Sequence, residues 1–350
     1  MKSKIRLGII GTGGMAHDHA RNFAKIPGVQ LVSCCDIVED KAKKFGQTFS
    51  IPGCFGDLDT MLDSGGLDAV SIVTTDSSHA AVALKAIERG LHVMCEKPLA
   101  TNYADAMKMA KAAKRKKVKT AVNFSYRRSA AVQYASKLVQ SGKLGRVIHV
   151  EASYLQSWLA SSAWGTWKDS PQLLWRLSRK HGSNGDLGDI GVHIYDLVSF
   201  VAGDFAELNC KLETFDKGVA RIGEYVFDAN DSFVSSVKFA GGAIGAVHSS
   251  RWAVGHNNSL RCRVYGDKGA IEIDLDHSYD LLKIIRGKDG INKALWETIK
   301  CPPVPSMYQR FITSIQTGKQ GQPDFETGAK VQKYLDASFA SDAKKKWIKV

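Results

Sequence analysis

The 350-residue chain has no apolar run approaching the roughly 18 residues of a membrane span, which argues against a transmembrane helix. Paired cysteine motifs are absent as well. The seven cysteines, an odd number, stand at 34, 35, 54, 95, 210, 262 and 301 with no CxxC or Cys/His ligand spacing. They read as reduced, mostly buried thiols, which excludes a disulfide framework and a zinc site. The basic start Met1-Lys2-Ser3-Lys4-Ile5-Arg6 leads into a short strand and a glycine-rich turn. It lacks the longer apolar segment and cleavage site of a signal peptide, so the expected location is the cytoplasm. Internal repeats and low-complexity tracts are also missing.

Acidic residues are in short supply: 48 Lys and Arg stand against 35 Asp and Glu, a formal net charge of +13. The densest clusters, Lys114-Arg115-Lys116-Lys117 and Lys344-Lys345-Lys346, end predicted helices, where cations suit the macrodipole. No stacking aromatics or nucleic-acid motif accompany them, so they read as solvated surface, with an acidic or phosphorylated substrate left open. Neither nucleic acid nor membrane is an expected partner.

What is present is ordinary globular composition in a chain longer than the about 250–300 residues at which one core stops growing, so two domains are expected. Through residue 125 the sequence alternates strands (5–10, 30–35, 69–74, 92–95, 120–124) with helices (15–26, 39–47, 77–89, 103–114). Valine- and isoleucine-rich strands each followed by a helix predict a doubly wound parallel sheet. From 126 to 350 the pattern changes. A helix over 130–140, a long alternating strand over 147–155, a helix over 190–201 and successive strands at 207–215, 232–239, 243–252, 260–265, 270–274 and 281–285 predict an α+β domain with a large, mainly antiparallel open sheet. Helices at 307–316 and 326–341 and a strand at 347–350 follow.

Gly11-Thr12-Gly13-Gly14-Met15-Ala16 lies between the first strand and first helix and reads G-x-G-x-x-A. Gly11 makes the tight turn, Gly13 admits a pyrophosphate to the backbone, and Ala16 lets helix and strand pack closely. The helix start then offers free N–H groups to the phosphates. Asp36 ends the second strand, twenty residues beyond Ala16, where a carboxylate binds the adenosine ribose hydroxyls and repels a 2′-phosphate. The expected cofactor is NAD rather than NADP. Thr74, Thr75, His79, Glu96 and Lys97 follow later strands and join Gly14 and Met15 as candidate cofactor contacts. Plainer readings are a cofactor-free glycine turn, Asp36 as a helix cap and His79 as an ordinary helix-start histidine.

The proton chemistry is expected from Glu96-Lys97-Pro98 and from Gly188-Asp189-Ile190-Gly191-Val192-His193. The latter opens the predicted helix with Asp189 and His193 one turn apart on one face. A lysine, a carboxylate and a histidine are the groups needed to take a proton from a hydroxyl while a hydride leaves its carbon. Taken singly, each has a structural alternative: Lys97 shaping the turn before a proline, Asp189 capping the helix, His193 as a satisfied core residue. The Asp189, His193, Asp196 spacing also suits a metal, which the nearby lysine opposes; no metal is expected.

With Asn123-Phe124-Ser125-Tyr126-Arg127 and Gly188-Asp189-x-Gly191-x-His193-x-x-Asp196, these motifs resemble the glucose–fructose oxidoreductase / inositol dehydrogenase / MocA (Gfo/Idh/MocA) family nearly end to end. The resemblance implies a Rossmann domain over 1–125 and a substrate-binding and oligomerisation domain over 126–350, whose open sheet forms dimers or tetramers. It implies hydride transfer at a secondary alcohol of a sugar or polyol. Lys97 would lie by the nicotinamide and the reacting hydroxyl, His193 would be the general base, and Asp189 would orient the site, with Asp196 supporting. Asn123, Arg127, Trp175 and Arg176 would meet substrate with Lys97, Asp189 and His193.

Two departures accompany the resemblance. Thr74-Thr75-Asp76-Ser77-Ser78-His79 lacks the Pro-Asn pair many relatives carry, and the tryptophan-rich 158–176 segment follows no family pattern. Trp158, Trp164, Trp167 and Trp175 are read mostly as core or interface, with one or two facing substrate. Alternatives are an NAD-binding ligand sensor without turnover and an NAD-dependent glycosidase using transient oxidation.

Overall fold

The computed structural model describes residues 4–350. The chain alternates β1 (Ile5–Ile10), α1 (Gly14–Ala24), β2 (Val29–Cys35), α2 (Glu39–Phe49), β3 (Gly53–Phe55), α3 (Leu58–Asp63), β4 (Ala69–Ile72), α4 (His79–Glu88), β5 (His92–Cys95), α5 (Tyr103–Lys116) and β6 (Thr120–Val122). All six strands pair in parallel in the order β3-β2-β1-β4-β5-β6. Chain order reverses between β1 and β4, and ligands of open α/β sheets collect beyond the carboxyl ends of such strands. Every residue of β4 is buried, as a strand covered on both faces requires. The short β3 and α3 fall in a stretch with no clear periodicity and were not expected.

The chain continues through α6 (Ala130–Gln140), β7 (Val147–Leu155), α7 (Pro171–Leu174), α8 (Val192–Ala202), β8 (Phe205–Glu213), the small hairpin β9 (Arg221–Ile222) and β10 (Tyr225–Val226), β11 (Ser232–Phe239), β12 (Ile244–Ser250), β13 (Ser259–Gly266), β14 (Gly269–Asp274), β15 (Leu281–Arg286), α9 (Lys288–Lys293), β16 (Glu297–Lys300), α10 (Met307–Thr317), α11 (Phe325–Lys344) and β17 (Ile348–Lys349). Nine strands form one sheet, β16-β15-β14-β13-β7-β12-β11-β8-β17, in which only β7 and β12 run parallel. One face carries α6 and α8. The alternation shows plainly in β11, where Phe233, Ser235, Val237 and Phe239 are buried while Val234 points the other way.

Two compact units result, one built from residues up to 125 with 305–332, the other from 126–304 with 333–350. A second domain running unbroken from 126 to 350 is therefore corrected. The physical reason is α10, opened by a Ser306/Gln309 capping box. Its apolar face, Met307, Phe311 and Ile312, completes the core around Ala16, Ala20 and Phe23 of α1. In the other unit Trp158, Leu159, Trp167, Leu174 and Leu177 form a separate small core with Trp252 and Phe227 packed on it. That places Trp158 and Trp167 inside, while Trp164 is exposed.

Candidate active site

In the first unit the register lays Cys35, Ile10, Ile72, Cys95 and Val122 side by side across the sheet. The residues just past that line include Asp36, Gly11, Glu96 and Asn123, so residues far apart in sequence share one edge. Gly11 has φ +85°, and a Cβ there would lie 2.5 Å from the Val73 carbonyl oxygen, which restricts the position to glycine. At Gly13 and Gly14 an added Cβ meets nothing within 4 Å among the described residues, leaving open space above the start of α1. Ala16 is buried beneath the turn and Met15 is exposed at its rim.

Asp36 accepts hydrogen bonds from Thr12 N at 2.9 Å, Thr12 Oγ1 at 2.8 Å and Val38 N at 3.0 Å. Partial burial opposes its charge, but those bonds and Lys41 outweigh it and hold the carboxyl below its ordinary range. The carboxylate is thus fixed and ionised beside the glycine turn. Open space, a free helix start and this anion fit a dinucleotide whose ribose hydroxyls donate to Asp36.

His19, Glu96, Asn123 and Ser71 form a buried polar cluster. His19 Nδ1 meets Ser71 Oγ at 2.8 Å, His19 Nε2 meets Glu96 Oε1 at 2.8 Å, and Asn123 Nδ2 donates to Glu96 Oε1 at 2.5 Å. Burial works against the Glu96 carboxylate, but the His19 bond and charge, Lys97 and Asn123 pull it down to about 2. Glu96 Oε2 also accepts from Lys97 N at 3.2 Å, anchoring the main chain at the lysine. Asn123, expected to meet substrate, is instead buried against Glu96 and His19. His79, expected at the cofactor, is 0% exposed. Its ring nitrogens face Pro98 O at 2.8 Å and Thr74 O at 3.2 Å, tying together the loops after β4 and β5. Thr74 accepts a bond from Ser78 at 2.7 Å, and Thr75 is exposed beside it.

In the second unit helical backbone begins before 190, and a π-helical turn over Leu187–Gly191 precedes α8. Asp189 sits within that turn, several residues after helical backbone has begun, so it does not occupy the capping position. The π turn also replaces the regular four-residue face expected between Asp189 and His193; such turns recur at functional positions. The glycines have a packing cause: a Cβ at Gly191 would come 2.7 Å from the Phe233 ring, and one at Gly188 would come 2.3 Å from Asn184 Cβ.

His193 is 7% exposed and flanked by two phenols, Tyr126 with ring centroids 5.1 Å away and Tyr154 at 6.3 Å. The two phenol oxygens hydrogen-bond each other, Tyr154 donates to Asn258 Oδ1 at 2.8 Å, and Asn258 Nδ2 donates to Tyr126 at 3.1 Å. Burial raises both phenols above their ordinary pKa, so they stay neutral near pH 7. Asp189 Oδ2 lies 3.1 Å from Arg251 Nη2 and 3.6 Å from Arg176 Nη1, and the Arg176 guanidinium stacks on Trp175 at 4.7 Å.

Arg127, expected to meet substrate, pairs with Asp196 through two hydrogen bonds and lies over the Phe200 ring at 4.1 Å. Its guanidinium is committed to the interior. Sequence reasoning missed His19, Tyr154 and Arg251. Only Tyr154 carried a signal, its inward place in the alternating strand β7; an arginine just past a strand reads as surface.

Two family models match parts of the chain: an oxidoreductase family with an NAD-binding Rossmann fold over residues 5–124, and a GFO/IDH/MocA C-terminal domain over 132–272. Levoglucosan dehydrogenase of Pseudarthrobacter phenanthrenivorans is 28% identical over 99% of this chain and 98% of its own length. A solved structure of levoglucosan dehydrogenase with NADH and levoglucosan superposes with a TM-score of 0.89 at 27% identity, covering 99% of both chains. An oxidoreductase domain protein from Kribbella flavida gives 0.90 at 30% identity over 99% of both. The chain belongs to the GFO/IDH/MocA family of oxidoreductases.

Proposed function

We propose that this protein is an NAD-dependent dehydrogenase that moves a hydride between the nicotinamide and a secondary alcohol carbon of a sugar, polyol or sugar derivative. The observation that carries the reading is the joint retention of a dinucleotide cradle with Asp36 fixed and ionised and of Asp189 and His193 beside two neutral phenols, in a chain aligned end to end with a levoglucosan dehydrogenase. NAD, when bound, accepts the hydride.

Each residue then has a part. Gly11, Gly13, Gly14, Met15 and Ala16 form the pyrophosphate turn, and Asp36 takes the ribose hydroxyls. Thr74, Thr75, Glu96 and Lys97 border the nicotinamide end, with His79 fixing the loops. His193 takes the hydroxyl proton as the carbonyl forms, and the Lys97 ammonium stabilises the developing alkoxide. Asp189, with Arg176 and Trp175, orients the sugar; Asn123 and Arg127 act through Glu96 and Asp196. The open face of the nine-stranded sheet, where Val234 and Ile244 are 60% and 59% exposed, is the surface proposed to meet a second copy in a homodimer or homotetramer.

The test is NADH formation from NAD with levoglucosan, inositols, aldoses, uronates and glycosides. At least one is oxidised by the wild type, and Lys97→Met and His193→Asn lose about 10²–10⁴-fold in turnover while still quenching on NADH binding. Wild-type turnover in both variants, or no oxidation of any compound despite NADH binding, overturns the reading.

A further inference from the structure

Arg251 directly follows β12 and is 0% exposed. Its Nη2 donates to Asp189 Oδ2 at 3.1 Å and to the Gly185 carbonyl at 3.2 Å, and its Nη1 donates to the Arg176 carbonyl at 3.1 Å. The guanidinium also lies 5.1 Å from the centroid of the Trp158 ring. One planar cation therefore joins the tryptophan-rich segment, the backbone entering the π turn, and Asp189. A buried guanidinium persists only when its charge is answered.

Two carboxylates, one wholly buried (Asp186) and one partly exposed (Asp189), compete for that charge. Asp189 holds the hydrogen bond, whereas Asp186 Oδ1 stands 3.9 Å from Arg251 Nε, and neither of those two atoms has a hydrogen bond among the described residues. Ser249 Oγ meets the other Asp186 oxygen. With one guanidinium wholly inside, the cluster balances when one carboxylate is charged and the other protonated.

We propose that Arg251 is a positioning residue for the reaction, holding Asp189 ionised and aimed at the substrate, while Asp186 carries the proton that keeps the buried cluster neutral. This rests on the substrate role proposed above for Asp189. The groups facing Asp186 agree with it: burial pushes its carboxyl up to about 8, against the pull of Arg251 and Ser249, with Asp189 and Asp231 adding to the rise. Asp231 is itself paired with Lys217, and Arg176 reaches Asp189 from the partly exposed side.

The experiment compares Arg251→Ala, Arg251→Lys, Asp186→Asn, Asp189→Asn and the Arg251→Ala/Asp189→Asn double variant, using the panel compound with the highest kcat/KM. Arg251→Ala should lose about 10²-fold in kcat/KM with NADH affinity and melting cooperativity retained. Its acidic pH limb should move upward because Asp189 has lost its cation, and added guanidinium should restore part of the rate. Arg251→Lys, a point charge, should recover less than half the loss in logarithmic terms. The double variant should lose no more than the worse single one. Asp186→Asn should keep wild-type kcat near neutrality. Additive losses, or a wild-type acidic limb in Arg251→Ala, overturn the proposal. A harmless Asp189→Asn instead removes the substrate role of Asp189, a separate failure.

Discussion

Arg127 and Asp196 meet in a two-pronged pair inside the second unit, Nε to Oδ2 at 2.8 Å and Nη2 to Oδ1 at 2.6 Å, with side chains 5% and 3% exposed. The geometry makes α8 depend on the segment just before α6, and it commits a conspicuous arginine to the interior. Removing one partner strands a buried charge. Asp196→Asn and Arg127→Met should each cost about 3–5 kcal/mol, read as a lower denaturant midpoint. Arg127→Lys should recover little, because an ammonium cannot make both bonds.

Asp36 should govern cofactor choice. Asp36→Ala removes both the acceptor proposed for the ribose hydroxyls and the charge proposed to repel a 2′-phosphate. Michaelis constants for the two cofactors should show the NAD preference falling by about tenfold or more, roughly one charge-assisted hydrogen bond. A wild-type preference in this variant contradicts the assignment.

Glu96 titrates at about 2 in the folded protein against an ordinary 4.5. A carboxyl lowered on folding adds stability that is present above the unfolded value and is lost as pH falls through the folded one. Glu96→Gln should therefore be less stable than wild type by about 3 kcal/mol near neutrality, from about two and a half pH units at about 1.4 kcal/mol each. The gap should close between pH about 4.5 and about 2. Denaturant melts across that window check it.

Asp186 has the opposite sign. Its carboxyl rises from 3.8 to about 8, so the folded state holds a proton that the unfolded state has released. The wild type should lose stability progressively as pH climbs from about 4 to about 8. Asp186→Asn, which never ionises, should lack that slope, so thermal melts of the two proteins should diverge toward alkaline pH.

Much of this was legible in the sequence where periodicity and glycine chemistry are local. The Gly11–Ala16 turn, Asp36 and the strands 92–95, 147–155 and 232–239 announce themselves through β-branched runs and special backbone positions. The placement of α10 was not legible, because an amphipathic helix does not say which core it will complete. Nor was the π turn under Asp189, since glycine spacing there records contact with Phe233 and Asn184 rather than a helix start. Burial of Asn123, Arg127 and His79 was hidden for a related reason: a polar side chain looks functional until the groups that satisfy it are known. Arg251 needed the fold outright, because its partners come from 158, 176, 185 and 189.

The central claim, that Lys97 and His193 serve one reacting hydroxyl, is tested most directly by single-turnover hydride transfer in Lys97→Met, His193→Asn and the double variant with a C-deuterated substrate. The account predicts a loss of about 10²–10⁴ in each single variant and no further loss in the double. A wild-type hydride-transfer rate in either single variant, or losses that multiply in the double, would contradict it.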